Sequence, residues 1–106
     1  MKNRNLLIDI FESKYGKDKS EILEFILGTC EELCTMLLDN GLLVEYGDPR
    51  STRSAFLLNI EGTGRPVMVI NLYSTIASLM DIYGEELITT KEKYIEIITN
   101  ALDSII

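Results

Sequence analysis

Residues 19 to 39 contain no proline, and eleven apolar side chains between Ile22 and Leu38 wrap most of a helical circumference there. At about 100° per residue, Glu21, Glu24, Gly28, Glu31, Glu32, Thr35 and Asp39 fall within an arc of roughly 100°, and the apolar residues take the remainder. So broad an apolar arc is buried on more than one side, either across the middle of a domain or against another subunit. Asp18 stands three residues before Glu21, the spacing of a capping box, and Asn40-Gly41 supplies a stop. The spacing therefore predicts one long helix over 19 to 39, with Gly28-Thr29 as the place where it could divide in two.

Around this helix the rest of the chain falls into short elements. Apolar positions from Leu6 to Tyr15 recur at helical spacing and meet Gly16. After Gly41 come three β-type runs, Leu42 to Tyr46, Ser54 to Ile60 and Val67 to Leu72, separated by turn residues at 47 to 53 and 61 to 65. They predict a three-stranded antiparallel meander in which Phe56, Leu58 and Ile60 share one face. Helical spacing returns from Leu72 to Tyr83 and stops at Gly84, and Thr89 with Glu92 marks the start of a last helix. The expected fold is a single α+β domain over residues 1 to 106: two N-terminal helices, the meander, and two C-terminal helices.

Several chemistries are disfavoured by what the chain lacks. It has no histidine, which removes the commonest general base and the commonest zinc ligand. Its two cysteines, Cys30 and Cys34, lie one helical turn apart and supply only half of a zinc site, so they are expected as reduced thiols in the core. Glu61-Gly62-Thr63-Gly64-Arg65-Pro66 resembles a phosphate loop only in its two glycines; with no following helix it reads as a hairpin turn. Neither a metal, a cofactor nor an enzymatic activity is expected. The longest stretch free of charge, Pro66 to Met80, is fifteen residues, short of the about 20 that a spanning helix needs. Lys2 and Arg4 precede Leu6 to Ile8, but Asp9 interrupts before a signal-peptide core can form, and a cytoplasmic location is expected. Fourteen isoleucines against three valines and three alanines suggest AT-rich coding, as in low-GC bacteria or their phages.

Charge is the most informative remaining signal. Seventeen acids and ten bases give a net charge of −7. Between Lys19 and Arg50 lie Glu21, Glu24, Glu31, Glu32, Asp39, Glu45 and Asp48 and no base, so this segment carries the whole excess. Five of these acids share the polar arc of the long helix, where no basic neighbour offsets them. Such a stripe serves solubility, and it also fits a basic surface on another protein, including a groove that otherwise holds nucleic acid, because carboxylates about 5.4 Å apart along a helix imitate a charged strand. Glu21, Glu24, Glu31, Glu32 and Asp39 are thus the candidate partner-binding residues.

Two resemblances attach to these features. In size, acidity and order of elements the chain resembles phage-encoded inhibitors such as anti-CRISPR and anti-restriction proteins, which implies a protein partner with a basic surface. Separately, a helix from Cys30, then Asn40-Gly41-Leu42-Leu43-Val44-Glu45, a loop with Arg50 and Arg53, and Phe56-Leu57-Leu58-Asn59 resembles the last helix and wing of winged-helix regulators. That likeness implies phosphate contacts from Arg50 and Arg53 and dimerisation through the last two helices. The presumed recognition helix carries Glu31, Glu32 and Asp39 and no base, which would repel DNA. The expectation is therefore a non-enzymatic interaction domain acting through the acidic stripe, as a homodimer given the apolar excess of the helices, with the DNA-binding regulator as its alternative.

Overall fold

The computed structural model describes residues 2–59, 62, 64 and 66–103. Among them the chain forms an α+β fold of four α-helices and a three-stranded mixed sheet: α1 (Lys2–Tyr15), α2 (Ser20–Asp39), β1 (Leu43–Glu45), β2 (Ala55–Asn59), β3 (Pro66–Asn71), α3 (Leu72–Tyr83) and α4 (Lys91–Asp103). A 3-10 turn, Gly84–Ile88, separates α3 from α4 and is an element that helical spacing did not predict. It buries Leu87 and Ile88 in the core.

α2 is a single helix, undivided at Gly28. The Thr29 hydroxyl donates to the Phe25 carbonyl at 2.8 Å, and nothing lies near Gly28, which is exposed. The predicted stop is realised in full. Gly41, at φ +80°, donates its N–H to Leu38 O at 3.0 Å, and Leu42 N–H reaches Leu37 O at 3.0 Å, the paired bonds of a Schellman motif. The predicted starts fare less well. Lys19 precedes α2 and makes no side-chain cap bond, so the Asp18 capping box does not form. At α4 the cap is Thr90, whose Oγ1 accepts from Lys93 N–H at 3.1 Å, whereas the Thr89 hydroxyl donates backwards to Glu85 O inside the 3-10 turn.

The sheet differs from the predicted antiparallel meander. Its order is β1-β3-β2, with β3 antiparallel to β2 (Phe56 opposite Val69) and parallel to β1 (Leu43 opposite Val69). The reason lies in the link from β1 to β2. A tight turn would place the two strands side by side, but residues 46 to 54 can step across two strand spacings, about 9.5 Å, and leave a central slot. β3 fills that slot because it carries the buried Val69, Ile70 and Asn71. β2 is left at the edge, with Leu57 and Leu58 exposed at 66% and 46%, so the face shared by Phe56 and Leu58 is only partly covered; Ile60 lies outside the described residues.

β3 runs directly into α3, the most enclosed helix. Leu72 to Ile76 are buried without a break, and α1, α2 and the 3-10 turn pack around them. α2 instead lies along one side, giving Ile26, Cys30, Leu33 and Leu37 to the core and leaving Met36 and Leu38 exposed.

The β3–α3 junction is tied to the crossover loop by polar groups. Asn71 caps α3, its Oδ1 accepting from Ser74 N–H at 3.0 Å while its Nδ2 donates to Asp48 O at 3.4 Å. The Ser74 hydroxyl donates to Ser51 O at 2.6 Å, and Tyr73 N–H donates to Tyr46 O at 2.9 Å. Gly47 passes this knot at φ +67°, and a Cβ there would stand 2.4 Å from Asn71 Oδ1. Only glycine combines that torsion with that approach.

Candidate functional site

The five stripe acids are all exposed along α2, over about 27 Å from Glu21 to Asp39 at 1.5 Å per residue. None forms an ion pair with a described residue. The ion pairs found among the described residues lie elsewhere, Lys14 with Asp81 at 2.7 Å and Arg50 with Asp48 at 2.8 Å.

The tertiary fold gives the stripe two different flanks. On one side Glu32 borders a groove of about 300 Å³ between α2 and α4, walled by Phe25, Leu33, Met36, Ile95 and Ile98. Met36 and Ile95 stand 43% and 48% exposed at its rim. On the other side Glu31 lines a groove of about 540 Å³ with Lys2 and Arg4 from the first turn of α1, Leu27 from α2, and Tyr46 and Tyr73. Glu31 therefore shares a surface with two cations brought from the start of the chain, and the stripe proper consists of Glu21, Glu24, Glu32 and Asp39.

The alternative site residues sit in the crossover loop. Arg50 is turned onto its own loop: Nε donates to Asp48 Oδ1 at 3.1 Å, Nη2 to Oδ2 at 2.8 Å, and the backbone N–H to Oδ1 at 2.8 Å. Those hydrogen bonds hold the Asp48 carboxyl down at about 2 and raise the arginine in turn. Arg53 is exposed, and its backbone N–H donates to Ser51 Oγ at 3.1 Å. The loop is not a hairpin, since β1 and β2 are not neighbours. The hairpin joins β2 to β3 through Gly62 and Gly64, both at positive φ, and Arg65 on it lies outside the described residues.

No family model, curated protein or solved structure matches the chain.

The thiols are free, Cys30 buried and Cys34 half-buried. Burial, reinforced by Glu31 and Cys34, pushes the Cys30 thiol up to about 12, far from the depressed range of a reactive cysteine. Among the described residues no three His, Cys, Asp or Glu side chains gather in a way that could hold a metal, and no helix is long and apolar enough to cross a membrane. Sequence reasoning missed the groove at the start of α1. Tyr46 follows β1 and Tyr73 opens α3 after β3, so both are remote in the chain from Lys2 and Arg4, and the Tyr73–Tyr46 backbone bond and the packing of α1 on α3 help bring them together.

Proposed function

We propose that this is a non-enzymatic interaction domain that docks the outer face of α2 onto a basic surface of a protein partner. One observation carries the reading: Glu21, Glu24, Glu32 and Asp39 stand exposed with no cation of the described chain paired to them, while Asp81 and Asp48 are paired. The adjoining apolar groove refines the partner's chemistry. A helix with Lys or Arg on one flank and apolar residues on the other would set its charges against Glu24 and Glu32 and fill the space between Met36 and Ile95. A partner whose basic groove otherwise holds nucleic acid, as for phage-type inhibitors, satisfies the same requirement. The regulator reading is less well supported, because Arg50 is engaged by Asp48 and the arginine loop is a crossover and not a wing.

The test is an NMR titration of the isotopically labelled chain with a basic amphipathic helical peptide and, separately, with a duplex oligonucleotide. Shifts running from Glu21 to Asp39, weakened by salt and lost when Glu21, Glu24 and Glu32 become Gln, are expected with the peptide. Equal binding by the triple variant removes the stripe from the mechanism, and tighter binding of the duplex, abolished by Arg50→Ala and Arg53→Ala, establishes the regulator instead. Self-association rests on the exposed Met36, Leu38 and Ile95, and a monomer in sedimentation equilibrium at micromolar concentration removes it.

A further inference from the structure

We propose that two copies of this chain join edge to edge through β2, the two strands antiparallel with Leu57 at the two-fold axis. β2 closes one side of the sheet, and no described strand borders its outer edge. The Asn71 N–H donates to Ser54 O at 2.8 Å, and this bond sets the alternation of the β2/β3 ladder. Ser54, Phe56 and Leu58 turn their backbone groups toward β3, with Phe56 opposite Val69 and Leu58 opposite Val67. Ala55, Leu57 and Asn59 therefore turn theirs outward.

The two edges of the sheet are guarded differently. β1 has three residues and ends on Glu45, whereas β2 has five, reads Ala-Phe-Leu-Leu-Asn, and pairs with β3 without a bulge. Short length, charge, proline and bulges are what keep an edge from pairing, and β2 has none of them. Its side chains are also apolar on both faces. Leu57 is 66% exposed beside Met68 at 37%, and Leu58 on the opposite face is 46% exposed. The helical core takes in Ile70 and packs on Val44, but Ala55 to Leu58 lie outside it.

A second copy matches this edge. With Leu57 opposite the partner's Leu57, Ala55 meets the partner's Asn59, and every outward N–H and C=O of the three residues finds its counterpart. An axis at Phe56 or Leu58 would leave one of the three beyond the partner strand. On one face the two Leu57 side chains meet, and on the other Phe56 meets the partner's Leu58. Counting on in the same register, the exposed Arg53 of each copy comes opposite sequence position 61 of the other, a glutamate that lies outside the described residues. Opposite charges thus stand at both ends of the pair, which favours a second copy although two chains of charge −7 repel at long range. The joint is isologous and closed, and it uses no residue of the outer face of α2.

Sedimentation equilibrium and amide hydrogen exchange on the full chain, followed from micromolar to millimolar concentration, test the assignment. A monomer–dimer equilibrium is expected in which the amides of Ala55, Leu57 and Asn59 slow as the dimer forms, while those of Phe56 and Leu58 are already slow in the monomer. Leu57→Lys, which opposes two charges at the axis, should weaken the dimer at least about tenfold and leave the monomer folded. Leu57→Cys should give a covalent dimer on mild oxidation, because paired Cα atoms about 5.5 Å apart suit a disulfide. Leu58→Cys, roughly 8 Å from its own copy, should not, and the wild type with its native thiols is the control. A chain that stays monomeric to millimolar concentration leaves the edge to a foreign strand and overturns the assignment. So would a dimer that Leu57→Lys does not weaken, one whose protection falls on Met36 and Ile95 instead, or equal cross-linking of the two cysteine variants.

Discussion

The outer face of α2 and the crossover loop at residues 46 to 54 are both rich in polar and charged groups, and they use them in opposite ways. In the loop, Asp48 binds Arg50, Ser51 receives the Ser74 hydroxyl, and Asn71 bridges from the helix it caps to the Asp48 carbonyl. On α2 the carboxylates face outward without a partner among the described residues. Polar groups spent on one another hold a fold together; those left unspent are free to meet another molecule. Composition alone cannot separate these cases, because Asp48 and Asp39 belong to the same acidic run.

The contrast can be broken most severely at Gly47. Gly47→Ala must bear a left-handed torsion, about 1–2 kcal/mol, and displace the Asn71 side chain from its cap, about 1 kcal/mol more, so chemical denaturation should show a loss of about 3 kcal/mol. Next comes Asn71→Ala, which removes the cap of α3 and strands the buried Ser74 N–H; the expected loss is about 2 kcal/mol. If either substitution proved neutral, the loop would not be the structural knot described above.

On α2 the same measurement should register almost nothing. Replacing Glu21, Glu24 and Glu32 by Gln and Asp39 by Asn should change stability by less than about 0.5 kcal/mol. Relief of the Glu21/Glu24 repulsion and of Asp39 at the helix C-terminus is offset by the loss of Glu21 from the first turn. A large destabilisation would show these acids to be structural after all. The subtlest effect is in acid. Asp48 has its pKa lowered to about 2 from 3.8, so its contribution to stability is present above 3.8 and disappears as pH falls through about 2. Arg50→Ala should raise the carboxyl partway toward its ordinary range, the backbone N–H of residue 50 still donating to it, as seen by NMR titration, and shrink that part of the pH dependence.

Local signals were legible wherever one stretch of chain decides the outcome. Asn40-Gly41 ended α2 because a left-handed residue there satisfies two carbonyls, while Gly16 and Gly84, also at positive φ, follow α1 and α3 with a single N–H each turned back to the helix, to Glu12 O and Met80 O. The capping boxes failed because a neighbour competed. Thr89 was drawn into the 3-10 turn and Thr90 took its place, while Asp18 gave way to Lys19 at the start of α2. Strand order was illegible, since the apolar runs at 43–45, 55–59 and 66–71 look alike until β3 claims the central position. Of the stripe, exposure was foreseen from periodicity; the approach of Lys2 and Arg4 to Glu31 was not, because nothing in the sequence of α1 announces what lies opposite its first turn.

Because the strand that joins the sheet is the last of the three to be made, Leu43 has to wait for Val69 before its backbone has a neighbour. At about 5–20 residues per second a growing chain spends a second or more with two helices and an orphan strand outside the ribosome. When Pro66–Asn71 finally arrives, it closes both ladders and launches α3 in one stroke. Assembly of this protein is thus timed by its middle, and a chain cut short before that strand would have no sheet to keep.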